Sequence, residues 1–206
     1  MNKADELFEF HQFESLIQGL IDNKFGCCDD FFEPPIICGL RAISDELNRK
    51  KEAVAAGIGS SNDFHQNLAV RGDKIKWIDD TSINPFELIY LSKVNRFITH
   101  LNSTCFTDIK SFESHYAMYE MGRFYKRHID QFKIVKGRQF SIILYLNQDW
   151  NDGDGGNLSL YLDHEVRHIM PIGGRMIFFR SDEMEHEVHP SLTRNRQSIA
   201  GWLKND

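Results

Sequence analysis

His128 and Asp130 stand two residues apart, His186 lies farther along, and Arg196 stands ten residues beyond it. Two imidazoles and one carboxylate make a facial triad, the ligand set that holds non-haem Fe(II) while leaving coordination positions open. Arg196 adds a planar guanidinium suited to an anionic co-substrate. A His-x-Asp pair alone carries little, because roughly one arises by chance at this composition and a surface histidine beside an aspartate explains most of them. Order and context carry the weight. Both elements lie in strand-like surroundings, and a strand-like run begins at Arg196.

Residues i and i+2 of a strand share a face, so His128 and Asp130 are expected to ligate one ion from one strand. His186 would come from a neighbouring strand or its edge. Ser198 shares the strand face of Arg196 and can donate a further hydrogen bond, and Tyr119 and Tyr145 are candidate phenol donors. His189 follows His186 by three residues, which breaks the strand period, and it is read as peripheral. Asp152 and Asp154 lack the rest of a calcium loop and are read as turn formers.

The elements that must position these residues come as helical blocks followed by strands. Phe10, Phe13, Ile17, Leu20 and Ile21 recur at helical spacing, and Pro34-Pro35 opens a second helix with Ile37, Leu40, Ile43 and Leu47 on one face. A third is expected over residues 85–101, along Leu88, Leu91, Val94, Ile98 and Leu101. A short strand is expected within residues 25–32 and another at 70–77, separated by a Gly-, Ser- and Asn-rich loop at 55–67. Past His115 the period drops to two, with strands at residues 140–146, 158–162, 176–179 and 196–203 divided by glycine turns. This pattern predicts a mainly β fold with N-terminal helices (α+β), a sandwich or jelly roll, with the helices on one outer face.

Composition bounds the reading. The chain has 206 residues, 41% hydrophobic and 26% charged, which suits one domain, 1–206, with a large core. Residues 1–110 would form the helical support, first strands and a loop, and 111–206 the catalytic part. A net charge of −6 with no basic stripe argues against nucleic acid. No apolar run is long enough to span a bilayer, and no secretory signal is visible at the start. Cys27, Cys28, Cys38 and Cys105 follow no zinc-finger spacing and are read as reduced thiols, hence a cytoplasmic setting.

Seven motifs then occur in order: Arg71-Gly-Asp-Lys-Ile-x-Trp77; Phe112-Glu-x-His-Tyr-Ala117 with Tyr119; Phe124-Tyr-x-Arg-His-x-Asp130; Tyr145-Leu-Asn-x-Asp-Trp150; Asp154-Gly-Gly-x-Leu158; His186-Glu-Val-x-Pro190; and Arg196-x-Ser-x-Ala-Gly-Trp202. In these the chain resembles the 2-oxoglutarate- and Fe(II)-dependent prolyl 4-hydroxylases. The likeness is to the oxygen-sensing enzymes that modify hypoxia-inducible factor, and above all to their bacterial relatives. The resemblance implies a double-stranded β-helix (cupin-like) core, with iron on His128, Asp130 and His186. It implies that Arg196 and Tyr145 bind the distal carboxylate of 2-oxoglutarate, and that Tyr119 stands near its metal-chelating end. Further, O2 and 2-oxoglutarate would be consumed to give succinate and CO2, with ascorbate as reductant. The substrate would be a protein or peptide presenting a proline, the enzyme a monomer, and the loop at 55–67 a lid over the substrate.

Two departures from that pattern stand out. The His186–Arg196 interval is one residue longer than in the oxygen-sensing enzymes, so the loop between must bulge. Ala200 replaces a threonine beside the co-substrate, which removes a polar contact. Three other readings compete: the same chemistry on a free amino acid or small molecule, a non-catalytic ligand-binding β-helix module, and a zinc hydrolase. The zinc reading lacks an identifiable general base.

Overall fold

The computed structural model describes residues 3–57, 67, 69–130 and 137–206. Most of the loop expected to act as a lid, residues 58–66, lies outside the described residues. In chain order the elements are α1 (Lys3–Asn23), β1 (Phe25–Cys28), α2 (Pro34–Arg49), β2 (Val54–Ala55), β3 (Asp73–Trp77), α3 (Pro85–Thr104) and β4 (Ser111–Tyr119). There follow β5 (Tyr125–His128), β6 (Arg138–Tyr145), a 3-10 turn at Asp152–Asp154, β7 (Leu158–Tyr161), β8 (Val166–Ile169), β9 (Met176–Arg180), β10 (Glu185–Val188) and β11 (Arg196–Lys204).

The strands form two antiparallel sheets, a large one ordered β1-β9-β6-β11-β4-β3-β2 and a small one ordered β5-β10-β7-β8. This is the double-stranded β-helix. Strand β6 explains why its sequence reads as a near-continuous apolar run: both of its faces are covered. Phe140, Ile142 and Leu144 face the helices, joining Phe97, Leu101 and Leu16 in one core. Ile143 and Tyr145 face inward and meet Leu158 and Leu160 of the small sheet in a second core. The helices thus back the large sheet, and the space between the sheets is left for the site.

Asn84 caps α3 by accepting from the Phe86 backbone N–H at 3.0 Å, and Pro85 supplies the pre-set first turn. Arg96 of α3 pairs with Glu9 of α1 at 2.6 Å, and Lys93 donates to Gln12 at 2.6 Å, which ties the two helices. That arrangement rotates α1 relative to its expected face. Glu9, Gln12, Phe13, Leu16 and Ile17 turn inward, whereas Phe10 and Ile21 are exposed. The reason is that buried polar partners on α3 compete with apolar spacing for the same side of the helix.

Helix α1 crosses β1 at close range through glycine. A Cβ on Gly26 would stand 2.7 Å from the Leu16 Cα, and the neighbouring atoms are backbone, which cannot swing away. Gly26→Ala should therefore cost about 1–3 kcal/mol, the usual penalty for forcing atoms into a packed contact. The readout is a lower urea midpoint at unchanged slope. An unchanged midpoint would show that α1 can lift off the sheet freely.

Candidate active site

Strand β11 sets the layers of the cavity. Its inward residues are Arg196, Ser198, Ala200 and Trp202, and β4 places Tyr119, Ala117, His115 and Glu113 opposite them in register. From the other side, β6 brings Tyr145 beside Ser198, Ile143 beside Ala200 and Ser141 beside Trp202. The cavity between the sheets is lined by Arg196, Ser198, Tyr119, His128, Asp130 and His186 among others.

The small sheet delivers the histidines. Strands β5 and β10 pair so that His186 lies directly opposite His128. Asp130 departs from the expected geometry. Strand β5 ends at His128, and Asp130 sits in the bend beyond it rather than on the same strand face. It reaches the same point because the Ser141 hydroxyl donates to its carboxylate at 2.6 Å. The Nε2 atoms of His128 and His186 each stand 3.6 Å from Asp130 Oδ1, and the three ligand atoms lie within 4.8 Å of one another.

Both imidazoles point the right nitrogen inward. His128 Nδ1 donates to the Lys126 carbonyl at 2.7 Å and His186 Nδ1 to the Met184 carbonyl at 3.0 Å. That places the proton on Nδ1 and leaves the Nε2 lone pair for a metal. Burial pushes His186 down to about 4, so it is a neutral donor near neutral pH. Burial also acts to raise the Asp130 carboxyl, but the facing His186 and His128 and the Ser141 hydroxyl outweigh it and hold the group ionised. Tyr125 stacks on His128 with ring centroids 3.5 Å apart, and the Arg71 guanidinium, paired with Asp73 at 2.7 Å, lies over Tyr125. These supporting residues occur in the sequence motifs, but spacing alone assigned them no role. The recoverable signal was the Arg71-x-Asp73 spacing, which puts opposite charges on one strand face.

At the other end of the cavity Arg196 is 1% exposed, and no carboxylate among the described residues pairs with it. Its Nε donates to the Gly156 carbonyl at 2.9 Å and its Nη1 to Ser198 Oγ at 3.4 Å. The rings of Tyr119 and Tyr145 flank it at 5.2 and 5.0 Å. The Tyr145 hydroxyl is buried with no partner among the described residues, and burial pushes the phenol up to about 12, so it keeps its proton to donate. A buried unpaired guanidinium beside an unpartnered phenol calls for an anion. Two imidazole nitrogens and a carboxylate oxygen fit Fe(II), and this pair fits the far carboxylate of a dicarboxylic co-substrate.

Arg194, by contrast, points away into the loop before β11, where it pairs with Asp154 at 2.7 Å and lies over Trp150. Thr193 donates to the same carboxylate, so the 3-10 turn anchors the loop between His186 and Arg196. His189 lies outside the cavity lining, with Nε2 2.6 Å from the Ser159 hydroxyl.

Residues 114–204 match the family model described as the 2OG-Fe(II) oxygenase superfamily. The chain carries a 2OG-Fe(II) oxygenase domain. This oxygenase domain superposes on a Pseudomonas putida prolyl-4-hydroxylase with a TM-score of 0.84 and 28% identity, covering 95% of this chain and 100% of that one. It also superposes on a Trichoplax adhaerens prolyl hydroxylase solved with a hypoxia-inducible-factor oxygen degradation domain peptide. There the TM-score is 0.88 at 26% identity, covering 100% of this chain and 94% of that one. Human Egl nine homolog 1 is 30% identical over 196 residues, which is 87% of this chain but only 44% of that protein. The chain thus spans less than half the length of the human relative. Among the described residues no helix is long and apolar enough to cross a membrane.

Proposed function

We propose that this chain is an Fe(II)- and 2-oxoglutarate-dependent dioxygenase that hydroxylates a prolyl residue, at the 4-position, in a protein substrate, releasing succinate and CO2. One observation carries the reading. The His128–Asp130–His186 cluster and the buried Arg196, which pairs with no carboxylate among the described residues, line one cavity. Bound iron would activate O2 at the expense of 2-oxoglutarate, which is chemistry no side chain supplies.

The chain's own residues do the rest. His128, Asp130 and His186 would hold the metal. Arg196, with Tyr145 and Ser198, fixes the co-substrate by its far carboxylate, which leaves its other end to reach the metal. Tyr119, opposite Arg196 in register, closes the wall beside it. The apolar walls of Ile143, Ala117 and Val188 exclude water from the reacting positions. Ascorbate as the reductant, an oxygen-sensing role, a cytoplasmic setting and a monomeric state belong to the same proposal. They draw on the likeness to the oxygen-sensing relatives, and the four cysteines stand free as a reducing compartment would leave them.

The test supplies Fe(II), 2-oxoglutarate and ascorbate and follows succinate, with mass spectrometry of a proline-containing peptide and of a cell lysate. The expected product gains one oxygen atom on proline, in step with succinate. Succinate without any hydroxylated peptide would move the substrate to a free amino acid or small molecule. No 2-oxoglutarate consumption under any condition would favour a binding module or a hydrolase.

A further inference from the structure

Two buried polar atoms on side chains that line the cavity have no hydrogen-bond partner among the described residues. His115 is 2% exposed, and its Nδ1 makes no hydrogen bond among the described residues; neither does the buried Nε1 of Trp202. Both side chains line the cavity that holds the metal cluster. The His115 ring lies 5.3 Å from Trp202 and 4.9 Å from Trp77, which are 6.1 Å from each other, so the three rings form one cluster.

Height in the barrel locates the pair. His115 sits opposite Ala200, one inward layer beyond Ser198, and Trp202 sits one layer further, level with Ser141, the residue that holds Asp130. The carboxylate clamp is therefore below them and the metal cluster beside them. Ala200 is too small to cover the imidazole, so the polar edge of His115 is the only side-chain hydrogen-bonding group that β4 and β11 present in that layer.

The surrounding charges are already paired, Arg71 with Asp73 and Arg138 with Glu113 at 2.9 Å. A charged ligand group would find no free counter-charge there and would lose its water without return. Burial holds His115 down to about 4, so its ring is neutral, with one donor and one acceptor nitrogen. An indole N–H can only donate. A donor and an acceptor on neighbouring rings match a peptide group, which offers one C=O and one N–H. Leaving both buried atoms unsatisfied would cost stability in every turnover state, so a ligand that satisfies them is the economical reading.

We propose that His115 is a substrate-binding residue, its Nδ1 accepting a hydrogen bond from a main-chain N–H of the peptide while Trp202 Nε1–H donates to a neighbouring main-chain carbonyl. Proline has no N–H of its own, so the donor belongs to the residue that follows the target. The assignment rests on the peptide reading above and adds a reason for selecting a chain segment over a free amino acid.

The test titrates Mn(II)- and 2-oxoglutarate-loaded protein with the oxygen degradation domain peptide, following binding by calorimetry. His115→Phe keeps a ring packed against the tryptophans and removes the nitrogens, and His115→Asn restores a polar atom near the Nδ1 position. The Phe variant should bind the peptide about tenfold or more weakly, the size of one buried hydrogen bond, with 2-oxoglutarate affinity held within about twofold. The Asn variant should recover most of that loss. An ester analogue of the peptide, with oxygen replacing the N–H after proline, should weaken binding to the natural protein and not to His115→Phe. Equal peptide affinity in the natural and Phe proteins overturns this assignment alone. A parallel loss of 2-oxoglutarate places His115 in the co-substrate clamp and overturns it as well. A natural protein that binds 2-oxoglutarate and ignores the peptide overturns the peptide reading and this assignment together.

Discussion

Arg196→Ala is expected to keep the metal and lose 2-oxoglutarate. The guanidinium is buried, with its own hydrogen bonds going to the Gly156 carbonyl and Ser198, and no carboxylate among the described residues pairs with it. Removing one partner of a buried charged pair costs about 3–5 kcal/mol, because the other charge stays desolvated. At about 1.4 kcal/mol per decade, co-substrate affinity should fall by roughly two to four powers of ten. Arg194→Ala is the matched control. Its partner is Asp154, buried in the turn at Asp152–Asp154, and Arg194 itself lies outside the cavity lining, so 2-oxoglutarate affinity should change little. Calorimetric titration of both variants, with Mn(II) replacing iron, reads the difference directly. Greater damage from Arg194→Ala would mean that the loop before β11, and not the guanidinium in the barrel, holds the co-substrate.

His128→Ala, Asp130→Ala and His186→Ala should each abolish productive metal binding and turnover while the fold persists. Among the described residues three protein donors converge, so each loss would remove a third of the ligand set. The drop in metal affinity should exceed the roughly 10–100-fold that loss of an outer-shell partner costs. Melting curves give a readout apart from activity. A ligand that binds only the folded state raises its melting temperature, so Mn(II) should stabilise the natural protein and leave the three variants unmoved. Full succinate production by any one variant would strike its residue from the set. Ser141→Ala should fall between these limits, because it loosens Asp130 without removing a donor.

The cluster of His128, Asp130 and His186 and the candidate cation Arg196 were legible in the sequence for a chemical reason. A ligand set needs particular atoms, and His128, Asp130, His186 and Arg196 are residue types with few substitutes. The i, i+2 rule brought Ser198 to the face of Arg196, and the near-continuous run at residues 140–146 announced a strand buried on both sides. The helices were legible where one apolar face meets one core, as along Leu91, Val94, Ile98 and Leu101 of α3.

What the tertiary structure alone decided is where unlike residues meet across the chain. Spacing put Asp130 on the strand of His128, yet β5 ends first and a serine on β6 holds the carboxylate in place. Periodicity turned Phe10 and Ile21 of α1 inward, yet partners on α3 draw Glu9 and Gln12 inside instead. The lack of a carboxylate beside Arg196 and of a partner for the His115 Nδ1, among the described residues, are likewise properties of packing. Both depend on which side chains fail to arrive, and local sequence carries residue types and periods but not the long-range register that brings β4, β6 and β11 together.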